Sequence, residues 1–291
     1  GCSGPRDRPI LAGMNARLDA FRPYLPLFTL PACALWAPAL GSWGVVVAAT
    51  LLVCGGFFVS AWWTRADLAR GQHPRLALTR DRFAVDRDTL DTALPLLAAI
   101  TAALLLALLI LAPPAGLYAL LALAFAMWNA TISTRRRQTL LEAIIPVGLV
   151  IGPAMLLRAP AWQDQPEPAI SSAAHAAAWL SGLALAACLI TSMTRDREAD
   201  LAVGSETIAT KLSRPGAVAV VATLGAGVTL LAGLGAVGWW GVAPVILSGW
   251  TGAAVAAALV ARWDGWAVAI SIYGYGLVAL VAGAGALTRA L

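Results

Sequence analysis

Three long stretches of the chain, 23–64, 92–134 and 215–261, contain no Asp, Glu, Lys or Arg. Each is about twice the ~20 residues that an α-helix needs to cross a bilayer. Each also carries a Pro- or Gly-rich break near its middle, at 37–41, 112–116 and 235–238. The pattern predicts three helical hairpins. Apolar runs at 143–157, 168–194 and 265–288 add three single spans. The expected fold is therefore an all-α membrane bundle of about nine transmembrane helices. The spans are expected near 22–39, 43–64, 91–111, 116–134, 141–158, 170–194, 216–236, 241–261 and 266–288. Residues 1–20 read as a polar N-terminal tail, and 21–291 as a single transmembrane domain.

Composition agrees. The chain is 60 % hydrophobic and only 12 % charged, about half the charge of an average soluble domain. The charges are also unevenly placed. Of 20 Lys and Arg residues, 18 fall in the N-terminal segment up to Arg22 and the loops near 65–91, 135–141, 195–214 and 262–264. Arg158 and Arg289 alone fall on the other side. Cationic loops stay cytoplasmic, so a multi-pass cell-membrane protein with a cytoplasmic N-terminus is expected. The basic collar suits the lipid bilayer, and nothing in it resembles a nucleic-acid footprint. Trp36, Trp43, Trp62, Trp63, Trp128, Trp239, Trp240, Trp263 and Trp266 lie near predicted span ends, where an aromatic belt forms. Cys2, Cys33, Cys54 and Cys188 have no metal-like spacing, and the last three read as small side chains inside apolar spans. Gly148-x-x-x-Gly152 reads as a site of close helix packing.

The polar chemistry gathers in two loops on the predicted cytoplasmic face. In the second, Arg195-Asp196-Arg197-Glu198-Ala199-Asp200 follows the sixth predicted span. If the helix continues, Asp196 and Asp200 lie about 40° apart on one face. Such a pair can hold Mg²⁺, which prefers oxygen ligands and in turn binds phosphate. The same spacing also fits a solvated charged loop with local ion pairs.

The run Asp196-x-x-x-Asp200-x-x-x-Gly204-x-x-Thr207, with Lys211-Leu212 after it, resembles the second acidic motif of the UbiA superfamily of intramembrane prenyltransferases. Phe21-Arg22-Pro23 at the first span and Arg135-Arg136-Arg137 after the fourth are similar to that family as well. The resemblance covers nearly the whole chain in architecture and about 20 residues in motif. It implies nine helices, Mg²⁺ on the acidic motifs, and a prenyl diphosphate bridged by the metal. Asp196 and Asp200 would be the catalytic, metal-holding pair. Arg65, Arg75, Arg197 and Lys211 would meet the diphosphate. A lipophilic acceptor, aromatic or otherwise, would take the prenyl group, or the chain would cyclise on itself.

The first acidic motif departs from the family. Its pattern is Asn-x₃-Asp-x₃-Asp before His-Pro, but here Gln72-His73-Pro74 places Ala61, Arg65 and Ala69 at those positions. Anchoring on Asp67 instead places Val59 and Trp63 at the first two. Either register lacks the Asn and the first Asp. Arg65 would contact diphosphate directly or form an ion pair with Asp196 or Asp200. Two functions are therefore expected to compete. One is a prenyltransferase. The other is a catalytically impaired relative that binds a prenyl lipid or quinone, or assists a partner enzyme. A transporter is disfavoured, because the mid-span regions lack ionisable residues.

Overall fold

The computed structural model describes residues 27–28, 33–69, 87–132, 172–202, 207–236 and 240–290. These contain eight helices: α1 (Cys33–Ala69), α2 (Arg87–Leu111), α3 (Pro113–Ile132), α4 (Ser172–Ala202), α5 (Ile208–Lys211), α6 (Arg214–Ala236), α7 (Ala243–Val260) and α8 (Asp264–Ala290). Six of them are long and apolar enough to cross a membrane. The predicted fifth span at 141–158, with its Gly148-x-x-x-Gly152, lies outside the described residues, as does half of the first.

Two of the three expected hairpin breaks are present. Ala112 alone separates α2 from α3, and residues 237–242 separate α6 from α7. The break expected at 37–41 is a correction. There α1 is helical from Cys33 onward. Pro38 is its sixth residue, so the proline removes one intrahelical bond near the helix start without ending the helix. Proline also opens other helices. Pro113 and Pro114 begin α3, Pro215 follows the first residue of α6, and Pro244 lies in the first turn of α7. Its fixed φ suits these positions.

The helices pack in two groups. α1, α2 and α3 contact one another, as do α4, α6, α7 and α8; α1 touches α8 and α4 and joins the groups. α4 is the most enclosed span and is lined by small residues, including Ala177, Ala178, Ser181, Ala184 and Ala187, all with no exposed surface. In a bilayer there is no water to drive helices together, so close approach through small side chains supplies the contact energy. Gly225 of α6 and Gly252 of α7 are one such approach, roofed by the phenol of Tyr275 on α8. Hydroxyls inside the spans bond back to their own helix: Thr191 Oγ1 donates to Ala187 O at 2.7 Å and Thr194 Oγ1 to Ile190 O at 2.8 Å. That meets the rule that buried polar groups in lipid need an internal partner. The outer faces are apolar, with Leu96, Ile110, Leu121, Leu234, Ile246 and Trp250 exposed, as lipid requires.

The core clusters fix the direction of each helix. One cluster joins the start of α1 (Ala48) to the ends of α2 (Leu108), α6 (Ala232) and α8 (Ala282, Ala286), and to the start of α4 (Ala177). The opposite end of the bundle therefore gathers the end of α1, the start of α2, the end of α4, and the starts of α6 and α8. A second cluster confirms this for Ile190, Val221, Leu259 and Ala267. Both polar loops thus leave from the same end, as the charge pattern predicts.

Candidate active site

The expected continuation of the sixth predicted span is present: α4 runs through Ala202 and carries both Asp196 and Asp200. The two carboxylates share a face one turn apart. Their surroundings differ. Asp196 is partly buried and gripped by its neighbour: Arg195 Nε donates to Oδ1 at 2.7 Å and Nη2 to Oδ2 at 3.0 Å. Asp200 has no exposed surface at all.

Beyond α4 the chain re-enters the described residues at Thr207, which starts α5. Thr207 is the N-cap of that four-residue helix in a reciprocal capping box: its Oγ1 accepts from Thr210 N at 3.2 Å, while Thr210 Oγ1 accepts from Thr207 N at 2.8 Å. This gives the threonine of the motif a structural task, satisfying backbone groups of a helix too short to do so itself. Arg197 closes the other end. Its Nε donates to Ala209 O at 2.9 Å and, more weakly, to Leu212 O at 3.4 Å. The carbonyls at a helix C-terminus lack intrahelical partners, and a guanidinium satisfies them well. Arg197 thus clamps α5 to α4 and holds Lys211, exposed in the last turn of α5, at the polar end.

Arg65 lies at the end of α1. Its Nε donates to Asp91 Oδ1 of α2 at 2.5 Å, with both side chains substantially exposed. This corrects the expectation of an ion pair with Asp196 or Asp200. Nothing in the sequence singles out Asp91, which lies 26 residues away and is one of five Asp between 65 and 91. The side chain of Asp67 is not described, and Arg75 and His73 lie outside the described residues. Among the described residues no group of three or more His, Cys, Asp or Glu side chains converges as a metal site. Asp196 and Asp200 stand one turn apart on α4, and Arg195 occupies both oxygens of the first.

The other side of α4 borders a notch of about 350 Å³. Thr194, Arg195, Arg197 and Glu198 line one wall, and Arg214, Arg262 and Asp264 the other. Arg214, the first residue of α6, holds Asp264, the first residue of α8, through Nη2–Oδ1 at 2.5 Å and Nη1–Oδ2 at 3.2 Å. At about 100° per residue, the notch wall of α4 points roughly 160° away from Asp196 and Asp200. The acidic face and the notch are separate features of one helix end.

These elements define a multi-pass α-helical membrane protein whose polar side chains gather at one end of the bundle. Among solved structures the chain is similar to the apo structure of a UbiA homolog from Aeropyrum pernix K1. The similarity has a TM-score of 0.56 at 21 % identity and covers 91 % of this chain and 98 % of that one. The bundle therefore has the UbiA fold, as the run from Asp196 to Leu212 implied. No protein-family profile matches the sequence, and comparison with curated proteins finds no significant match.

Proposed function

We propose that the protein is an intramembrane prenyltransferase that transfers a prenyl group from a prenyl diphosphate to an aromatic or other lipophilic acceptor, or cyclises it. The observation that carries this reading is the placement of Asp196 and Asp200 on one face of α4, at the polar end of a UbiA-type bundle. The lipid-facing spans give an apolar prenyl chain access from the bilayer, while its diphosphate meets the polar end.

Two carboxylates one turn apart fit Mg²⁺, which uses one or two carboxylates, waters and phosphate oxygens. Bound there, it would neutralise charge on the diphosphate leaving group. The chain's own residues do the rest. Asp200 is buried and fixed. Asp196 would hold the metal once released by Arg195, whose guanidinium would then be available to phosphate oxygens. Lys211, held by Arg197, would add a cation from α5 and Arg65 another from the end of α1, with Arg75 as a further phosphate ligand. The allylic C–O bond breaks with its electron pair on the diphosphate oxygen. The acceptor then attacks the cation and loses a proton.

A second reading is a protein that binds a prenyl lipid or quinone without turnover. The Arg65–Asp91 ion pair supports it, because it ties a cation into structure where the family places a carboxylate. The test is Mg²⁺-dependent pyrophosphate release from a panel of prenyl diphosphates, using protein in nanodiscs. Release that is lost in both Asp196→Asn and Asp200→Asn supports the enzyme. Donor binding without release, in folded protein, supports the second reading.

A further inference from the structure

The link between α7 and α8 is built on an unusual residue choice. α7 ends in a double-bonded reversal: Arg262 N donates to Leu259 O at 3.2 Å and Trp263 N to Ala258 O at 2.8 Å. In this reversal the residue after the C-cap adopts a left-handed conformation and is usually glycine. Here it is Arg262, at φ +60°, the one non-glycine in that region among the described residues. A side chain with a Cβ is disfavoured there, so the backbone alone does not account for arginine. Arg262 lines the notch, is exposed, and makes no side-chain hydrogen bond or ion pair among the described residues.

The notch as a whole carries surplus positive charge. Four guanidinium groups line it against two carboxylates. Arg214 is neutralised by Asp264, and Arg195 by Asp196 outside the notch. Arg262 and Arg197 then face Glu198 alone. The starts of α6 and α8 add the positive ends of two helix dipoles, and the end of α7 beside Arg262 adds one negative end. The notch lies where the apolar spans meet the polar end: those of α6 and α8 begin at Arg214 and Asp264, and that of α4 ends at Glu198. Trp263 and Trp266, 64 % and 70 % exposed, flank Arg262 as interfacial tryptophans do.

We propose that this notch binds the phosphate of an anionic phospholipid from the adjoining leaflet, with Arg262 as its principal ligand. Phosphate suits a planar guanidinium in a basic recess between transmembrane helices. The surrounding tryptophans place the glycerol and acyl chains in the membrane. The site is distinct from the acidic face of α4 and does not depend on the proposed enzymatic activity.

The test uses the full chain in non-ionic detergent, titrated with dioctanoyl phosphatidylglycerol, dioctanoyl phosphatidylcholine or inorganic phosphate. Thermal unfolding reads binding, because a ligand of the folded state raises Tm. Phosphatidylglycerol is expected to raise Tm, and the other two to do so far less. Arg262→Gln and Arg262→Gly should each raise the half-saturating phosphatidylglycerol concentration roughly tenfold. Arg262→Gly should do so with an unliganded Tm at or above the parent's, which separates lost binding from lost folding. An unchanged half-saturation in both Arg262 variants overturns the proposal. So does an equal response to phosphate or phosphatidylcholine.

Discussion

Arg214 and Asp264 face each other as the first residues of α6 and α8 and pair through both guanidinium nitrogens and both carboxylate oxygens. Arg214 Nη2 also donates to Leu259 O at 3.0 Å, near the end of α7. One side chain therefore ties three helices together at the polar end, and Asp264 sits where a helix dipole favours a negative charge.

Loss of this junction is expected to loosen the end of the bundle. The pair is about three-quarters buried, with side-chain exposures of 23 % and 22 %, and bidentate geometry strengthens it. Asp264→Asn should destabilise the fold by about 1–2 kcal/mol. Arg214→Gln should cost at least as much, because it also strips the bond to Leu259 O. Unfolding midpoints in mild detergent against added denaturing detergent would measure both. Equal stability of parent and both variants would contradict the role given to the junction.

Gly225 and Gly233 lie two turns apart on α6 and should respond in opposite ways to alanine. A Cβ at Gly225 would collide with the hydroxyl of buried Tyr275. Overpacking of this kind costs about 1–3 kcal/mol. A Cβ at Gly233 meets nothing within 4 Å, and alanine is the better helix former by about 1 kcal/mol. Gly225→Ala is thus expected to lower Tm and Gly233→Ala to leave it equal or higher. A thermal series on the purified variants decides.

Much of this bundle is legible in the sequence, because charge-free length and breaks at 112–116 and 235–238 report directly on spans. The break at 37–41 misleads because proline near a helix start disrupts little, so Pro38 looks like a loop residue while sitting in α1. The acidic pair on α4 is legible as well, since helical spacing alone puts Asp196 and Asp200 on one face. What one chain cannot reveal is pairing across it. Nothing local tells Arg65 to choose Asp91, or Arg197 to spend its Nε on Ala209 O. The Schellman-type end of α7 is equally hidden, because Arg262 stands where a glycine would have signalled it.

Arg65 and Asp91 should contribute little to stability despite their short contact. Both are more than a third exposed, and exposed pairs are worth about 0–1 kcal/mol after solvent screening and side-chain entropy. Their functional consequences should diverge. If the prenyltransferase reading holds and Arg65 meets diphosphate, Arg65→Ala raises KM for the donor several-fold, while Asp91→Ala leaves it equal or lower by freeing the guanidinium. Parallel donor titrations of pyrophosphate release measure this. Matching KM values in parent and Arg65→Ala would remove Arg65 from the donor site.

Asp196 and Asp200 are expected to differ in stability even though they share a proposed role. Asp196 is partly buried, its side chain 17 % exposed, and is held through both oxygens by the adjacent Arg195, so Asp196→Ala should cost about 1–2 kcal/mol. Asp200 has no exposed surface. Asp200→Ala leaves a small void and deprives its surroundings of a polar group, a combination that costs about 1–3 kcal/mol. Asp200→Asn keeps the shape and one carbonyl oxygen and should recover a large part of that loss, while still lacking the charge that a divalent cation requires. The informative comparison is therefore Asp200→Ala against Asp200→Asn, by thermal unfolding and by pyrophosphate release on the same preparations. Release absent from both, with Tm restored only in the asparagine variant, would assign the effect to the carboxylate charge. Release that returns together with Tm would reduce Asp200 to a buried structural residue.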